Sequence, residues 1–277
     1  MRKLASALFV LCGAWIAMPA LADIGDDLNQ VRRQGCSNRP GVSQPLRASK
    51  DLDAVAREWS KGGRLRDAMG RSDYRATNSA SMQVSGSSDR KAVVDILKAN
   101  YCDTITDASF KEIGVYQKRD AIWIVVAAPF TTPAVKDAAK VSKKVLALVN
   151  AARSKARKCG AKEFPAVPPV TLSAVLSRAA LVHSQDMANK NFFEHQGSDG
   201  STVGIRTARV GYKWRTVGEN IAIGAQTAEV VVQGWIDSPG HCVNIMTPGF
   251  TEMGIAFVVD RNSEAGIYWT QVFAAPR

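Results

Sequence analysis

The apolar positions of the chain set out its elements. Leu172, Val175, Leu176, Ala179, His183 and Met187 recur at helical spacing and form one stripe, which predicts a helix from Leu172 to Lys190. Val145, Leu148, Val149 and Ala152 mark another within 141–158. Gly197 to Gly204 reads as a polar loop. Thr227 has the chemistry of an N-cap, with Glu229 in the first turn of a helix through Trp235 that Ser238-Pro239-Gly240 ends. Gly254–Val259 and Ile267–Phe273 read as strands joined by the turn Asp260–Gly266. Earlier, Asp51–Trp59 and Ala92–Ala99 read as helices, and Ile113–Tyr116 and Ala121–Ala127 as a hairpin. Helices first and strands last, in each half, give an α+β class with helices flanking an antiparallel sheet.

The two halves also match each other. Pro45, Leu52, Ala54 and Val55 align with Pro165, Leu172, Ala174 and Val175; Cys102, Phe110, Glu112 and Gly114 with Cys242, Phe250, Glu252 and Gly254; Ala127-Ala128-Pro129 with Ala274-Ala275-Pro276. The offset grows along the chain, as insertions in the second copy require. A repeat this long implies two copies of one domain, expected at 23–140 and 141–277, and not a solenoid.

Residues 1–22 read as a secretory signal peptide. Arg2 and Lys3 precede the apolar stretch Leu4–Met18, and Ala20-Leu21-Ala22 is a small-residue cleavage site, giving a mature start at Asp23. Cys12 lies inside the apolar region and follows Leu11, which argues against a lipid anchor. No later stretch is long enough for a membrane span. The protein is therefore expected in a periplasm or outside the cell. Four cysteines remain after cleavage: Cys36, Cys102, Cys159 and Cys242. In an oxidising compartment they would pair, in one of three ways. The repeat selects Cys36–Cys102 and Cys159–Cys242, since each copy has one early and one late cysteine.

The formal net charge is +11, and it is spread over both halves. Its densest run is 143–162, with seven Lys or Arg and no acid. A basic exported protein favours anionic cell-envelope polymers or lipids as partners, though the run is equally well a solvated helix face. Export, and the lack of interleaved aromatics, argue against nucleic acid.

All three histidines, His183, His195 and His241, lie in the second half. His195, Glu219 and His241 are suited to hold a divalent cation such as zinc, or to acid–base work; ordinary loop hydrogen bonds are the alternative. The motifs His183-Ser184-x-Asp186-Met187-Ala188, Phe192-Phe193-x-His195, Gly218-Glu219-Asn220-Ile221-Ala222, Trp235-x-x-Ser238-Pro239-Gly240-His241, Phe250-Thr251-Glu252-x-Gly254 and Tyr268-Trp269-Thr270-Gln271-Val272-Phe273 stand in that order. Together they resemble a bacterial domain of the CAP superfamily (cysteine-rich secretory, antigen 5 and pathogenesis-related proteins). The resemblance covers about 141–277. It implies an α-β-α sandwich, here in tandem, whose cleft often carries two histidines and two acids that in some members hold a divalent cation. His195, Glu219 and His241 match three of those positions, and Asp237 lies near the fourth. His183, on the apolar stripe, is read as a buried hydrogen-bonded histidine, with a supporting role beside the cleft as the alternative; Asp186 could orient a histidine.

The first half has no histidine. Tyr101 stands where His241 would be and Ser81 near the Glu219 position, so it resembles a degenerate copy. The whole reads as an exported binding or interaction protein and not, in the first instance, an enzyme. A metal-dependent hydrolase acting on a cell-wall or extracellular substrate and a lipid or sterol carrier are the rival readings.

Overall fold

The computed structural model describes residues 22–277. The expected signal peptide, with the Leu4–Met18 stretch and Cys12, lies outside the described residues, apart from Ala22. The chain divides into two compact units between Phe130 and Thr131. This lies ahead of the expected 140/141 boundary because the helix that opens the second unit already begins at Ala138.

The first unit runs α1 (Ala22–Gln34), β1 (Arg47–Ala48), α2 (Lys50–Trp59), α3 (Leu65–Gly70), β2 (Ala76–Ser85), α4 (Arg90–Asn100), α5 (Cys102–Ile105), β3 (Glu112–Lys118) and β4 (Ala121–Pro129). Its sheet has the order β1-β3-β4-β2, antiparallel except where β1 meets β3. Side chains alternate across a strand, and β4 shows the layering this produces. Ile122, Ile124 and Val126 pack with Leu28 and Val31 of α1 and with Val93 and Leu97 of α4. Val125 and Ala127 pack on the other face against Leu52, Val55 and Ala56 of α2. Helices thus cover both faces of one sheet.

The second unit runs α6 (Ala138–Arg153), β5 (Arg157–Cys159), β6 (Lys162–Phe164), β7 (Thr171–Leu172), α7 (Ala174–Lys190), α8 (Val203–Arg209), β8 (Trp214–Ile223), α9 (Ala228–Asp237), α10 (Pro239–Met246), β9 (Glu252–Val259) and β10 (Ile267–Pro276). Its main sheet has the order β7-β9-β10-β8, again antiparallel except for the first pair. Thr227 caps α9 by accepting a hydrogen bond from the Val230 amide, as expected. Three expectations change. The helix expected over 141–158 stops at Arg153, and Arg157–Phe164 forms a separate ribbon turning at Gly160, whose φ of +62° suits glycine. The polar loop ends at Thr202, which caps α8. Ser238-Pro239-Gly240 ends α9 but also begins α10, with Pro239 in the first turn where its missing N–H costs nothing.

The same kinds of internal bond occur within each unit. Asn29 closes a side-chain ring onto the Leu46 backbone, and Asn150 onto that of Val170. Ser49 caps α2 and Ser173 caps α7. Leu52 therefore corresponds to Leu176, one helical turn beyond the Leu172 expected. Gly114 and Gly254 let those two helices sit against the sheet: a Cβ at either would lie 2.1 Å from backbone carbon of Leu52 or Leu176. The cysteines pair Cys36–Cys102 and Cys159–Cys242, as expected. Among the described residues no helix is long and apolar enough to cross a membrane.

Candidate functional site

The site is built around the edge strand β8. Glu219 and Asn220 are consecutive on it, so their side chains enter opposite layers. Glu219 faces α7. Its Oε2 accepts from Arg206 Nη2 at 2.7 Å, and its Oε1 accepts from His195 Nδ1 at 2.9 Å. Asn220 faces α10. Its Nδ2 donates to Gln271 Oε1 (3.1 Å) and to the carbonyl of His241 (3.3 Å). Asn244 of α10 donates to both the Glu219 carbonyl and Asn220 Oδ1, each at 2.9 Å. His195 thus arrives from one layer and His241 from the other, near enough for the His195 charge to act on the His241 ring. The Glu219 side chain is only 3% exposed and His195 59% exposed.

A carboxylate only accepts, so the His195 proton sits on Nδ1 and Nε2 is left free at the surface. The loop carrying His195 is held by two further buried groups. Arg206 Nη1 donates to the Ser201 carbonyl (2.7 Å) and Nη2 to the His195 carbonyl (3.0 Å). His183, fully buried, donates from Nε2 to the Glu194 carbonyl at 2.9 Å, and that nitrogen lies 3.8 Å from Glu219 Oε1. His183 is therefore both buried and a support of the cleft. Asp186 orients no histidine; it accepts from the Ser198 amide and hydroxyl, tying down the same loop.

Burial lowers the pKa of His183, with Glu219 opposing, and its Nδ1 has no hydrogen-bond partner. Burial, with the neighbouring His195 second, lowers that of His241. A histidine whose folded pKa lies below its unfolded value of about 6.5 binds fewer protons folded than unfolded in that window. Its contribution to stability is complete above pH 6.5 or so and is lost as pH falls. The melting temperature should drop below pH 6.5, and His183→Gln should flatten that drop; a pH profile identical to the parent's would contradict this.

Asp237 does not join the cleft. It is exposed at the end of α9 and accepts from Gln233, one turn back on its own helix (2.7 Å). Among the described residues no group of three or more His, Cys, Asp and Glu side chains is placed to hold a metal ion. Within the cleft the Arg206 guanidinium donates to one Glu219 oxygen and His195 to the other. Arg206 is the site residue that sequence reading missed, because nothing in its spacing distinguishes it from a surface arginine of α8.

In the first unit the site is absent at the register positions themselves. Ser81 pairs with Val125 as Glu219 pairs with Val272, and Met82 with Ile124 as Asn220 with Gln271. Apolar Met82 and Ile124 are fully buried where the second unit has its amide pair. A separate hollow of about 790 Å³, lined by Val203, Ile205, Tyr212, Trp214 and Arg277 among others, shares no lining residue with the histidine cleft.

Residues 146–273 match the sequence profile of the Cysteine-rich secretory protein family, CAP. The uncharacterized protein YkwD of Bacillus subtilis (strain 168) is 37% identical over 143 residues, covering 52% of this chain and 50% of that protein. The uncharacterized membrane protein YlbC of the same organism is 30% identical over 97 residues, covering 35% and 26%. The chain thus spans half or less of these relatives. Among solved structures, an extracellular protein containing an SCP domain from Bacillus anthracis str. Ames is 22% identical with a TM-score of 0.42, covering 58% of this chain and 56% of that one. The profile match thus places a CAP domain hit at residues 146–273, inside the C-terminal unit and over the stretch that carries the six motifs.

Proposed function

We propose that this is an exported binding protein whose C-terminal unit engages its ligand through the paired imidazoles of His195 and His241. The carrying observation is the anchored His195 ring: buried Glu219 fixes its tautomer and leaves Nε2 exposed. Export is supported by the two disulfides, which form and persist in oxidising compartments. The first unit is read as a degenerate copy, supported by the shared strand order and the matching Asn and Ser bonds.

The donor set fits a divalent cation only in a restricted way. Glu219 and Asp237 are unavailable as ligands, and the two imidazoles with water would hold the ion. Glu219 would then act as the carboxylate that orients a ligating histidine. Such an ion would supply Lewis acidity to a bound water or ligand oxygen. Zinc titrated into the oxidised chain is expected to bind at about one ion per chain. His195→Ala and His241→Ala should each abolish it. Absent binding, or binding unchanged in both variants, would remove the cation from this reading.

The same dyad supports a second reading. A carboxylate-anchored imidazole with a free Nε2 is also the arrangement of a general base. Hydrolysis of a cell-wall or extracellular substrate that rises with pH and vanishes in His195→Ala would favour it.

A further inference from the structure

We infer that the β5–β6 ribbon is a docking surface for a linear polyanion, a phosphate- or carboxylate-bearing polymer of the cell envelope. The inference names a partner class for the exported binding protein proposed above and rests on that reading for the compartment. Within the basic run, Arg153 is turned inward, and Lys144 pairs with Glu229 at 3.1 Å. Lys155, Arg157, Lys158 and Lys162 have no ion-pair partner among the described residues. Lys155, Lys158 and Lys162 are exposed. The ribbon's single acid, Glu163, stands across from Lys158 in register and offsets one charge of the four.

Two features separate this surface from an ordinary solvated face. Arg157 is half-buried, and its Nε–H is shielded from solvent without an acceptor. The Arg157 guanidinium is therefore not committed to an internal acceptor, and its partly exposed side chain leaves the group able to meet an anion at the surface. The ribbon is also fixed in place. Cys159 is bonded to Cys242 of α10, and a Cβ on Gly160 would lie 3.0 Å from the Pro239 ring. Arg157, Lys158 and Lys162 are thus held on a short fixed ribbon beside the helix that carries His241, with Lys155 two residues before it. They do not sit on a mobile tail.

A polymer is favoured over a lipid surface because the ribbon has no exposed apolar anchor. Its one large apolar side chain, Phe164, is buried, with the Lys162 ammonium 4.8 Å from the ring centre. Membrane-surface elements pair cations with exposed Leu, Phe or Trp.

The test uses the oxidised chain and long-chain polyphosphate, titrated at several salt concentrations. Binding should weaken steeply with salt, as counterion release requires, and K155E/K158E/K162E should lower affinity at least about tenfold and flatten the salt slope. A charge-matched control in the first unit, K91E/K98E/K118E, should keep affinity within about twofold, since charge outside the contact acts only through a screened field. Circular dichroism should show both variants folded. His195→Ala/His241→Ala should retain polyphosphate binding, so that failure of the ribbon and failure of the histidine cleft are read separately. No binding by the parent chain, or equal losses in ribbon and control variants, overturns the inference. Tighter ribbon-dependent binding to phosphatidylglycerol vesicles than to polyphosphate also overturns it, in favour of a membrane surface.

Discussion

Arg153→Met will destabilise the C-terminal unit by about 4 kcal/mol, the scale of breaking a buried charged network. Arg153 is fully buried and has no ion-pair partner among the described residues. Its guanidinium donates instead to four main-chain carbonyls: Pro168 (2.7 Å), Ile245 (2.6 Å), Thr247 (3.1 Å) and Phe250 (3.2 Å). These lie in the connector before β7, at the end of α10 and in the turn before β9, so one side chain ties three segments to α6. Burial pushes its pKa down, but from a value so high that the group stays charged. Methionine would fill much of the space and leave those carbonyls shielded from water without donors. Lysine would keep the charge and lose the planar fork. Urea unfolding followed by tryptophan fluorescence, with exposed Arg178→Met as control, measures the effect. A cost no larger than the control's would show that water enters and replaces the guanidinium. Arg32 makes the matching bonds in the first unit, to Gln44, Ile105, Asp107 and Phe110 carbonyls, so Arg32→Met should behave alike.

Glu219→Gln should cost about 3 kcal/mol, because it leaves a buried cation without its partner. Arg206 is as buried as Glu219, 3% exposed each, and the two are 2.7 Å apart. A glutamine cannot serve both neighbours. If its oxygen accepts from His195, its amide faces a guanidinium N–H; if it turns, His195 loses its acceptor. The loss should therefore appear in two measurements, a lower urea midpoint and a changed His195 ring environment by nuclear magnetic resonance. Removing both charges, Glu219→Leu with Arg206→Met, should cost less than the sum of the single changes, the signature of coupled groups. Strict additivity would mean that the pair is held apart in solution and that the cleft is not anchored as described.

Most helices and the β9–β10 hairpin were legible in the sequence because their apolar periodicities are long and their caps are explicit. Strand β8 was not. Its residues Trp214–Ile223 alternate poorly, since Glu219 and Asn220 are buried polar groups where a strand pattern would place apolar ones. The chemistry of the site thus hid the element that carries it. His195, Glu219 and His241 stand out by their residue chemistry, and the motif resemblance gives that chemistry its weight. Which atoms meet was decided by Arg206, and its role depends on α8 folding back beside β8, a long-range event that no local pattern encodes. Asp237 was misplaced for a similar reason: proximity in sequence to Trp235 says nothing about which way the end of α9 points.

The bonds that frame each unit are directed at the main chain. Arg32, Arg153, Asn29 and Asn150 hold carbonyls and amides, which every residue possesses, so their partners can change side chain without loss of the contact. Such a scaffold is tolerant of mutation in its surroundings and demanding at a handful of positions. The first unit has Ser81, Met82 and Ile124 at the register positions where the second has Glu219, Asn220 and Gln271, and the bonds framing the two are alike. A frame that does not depend on the side chains around it leaves each unit free to differ in its surface and in what that surface holds.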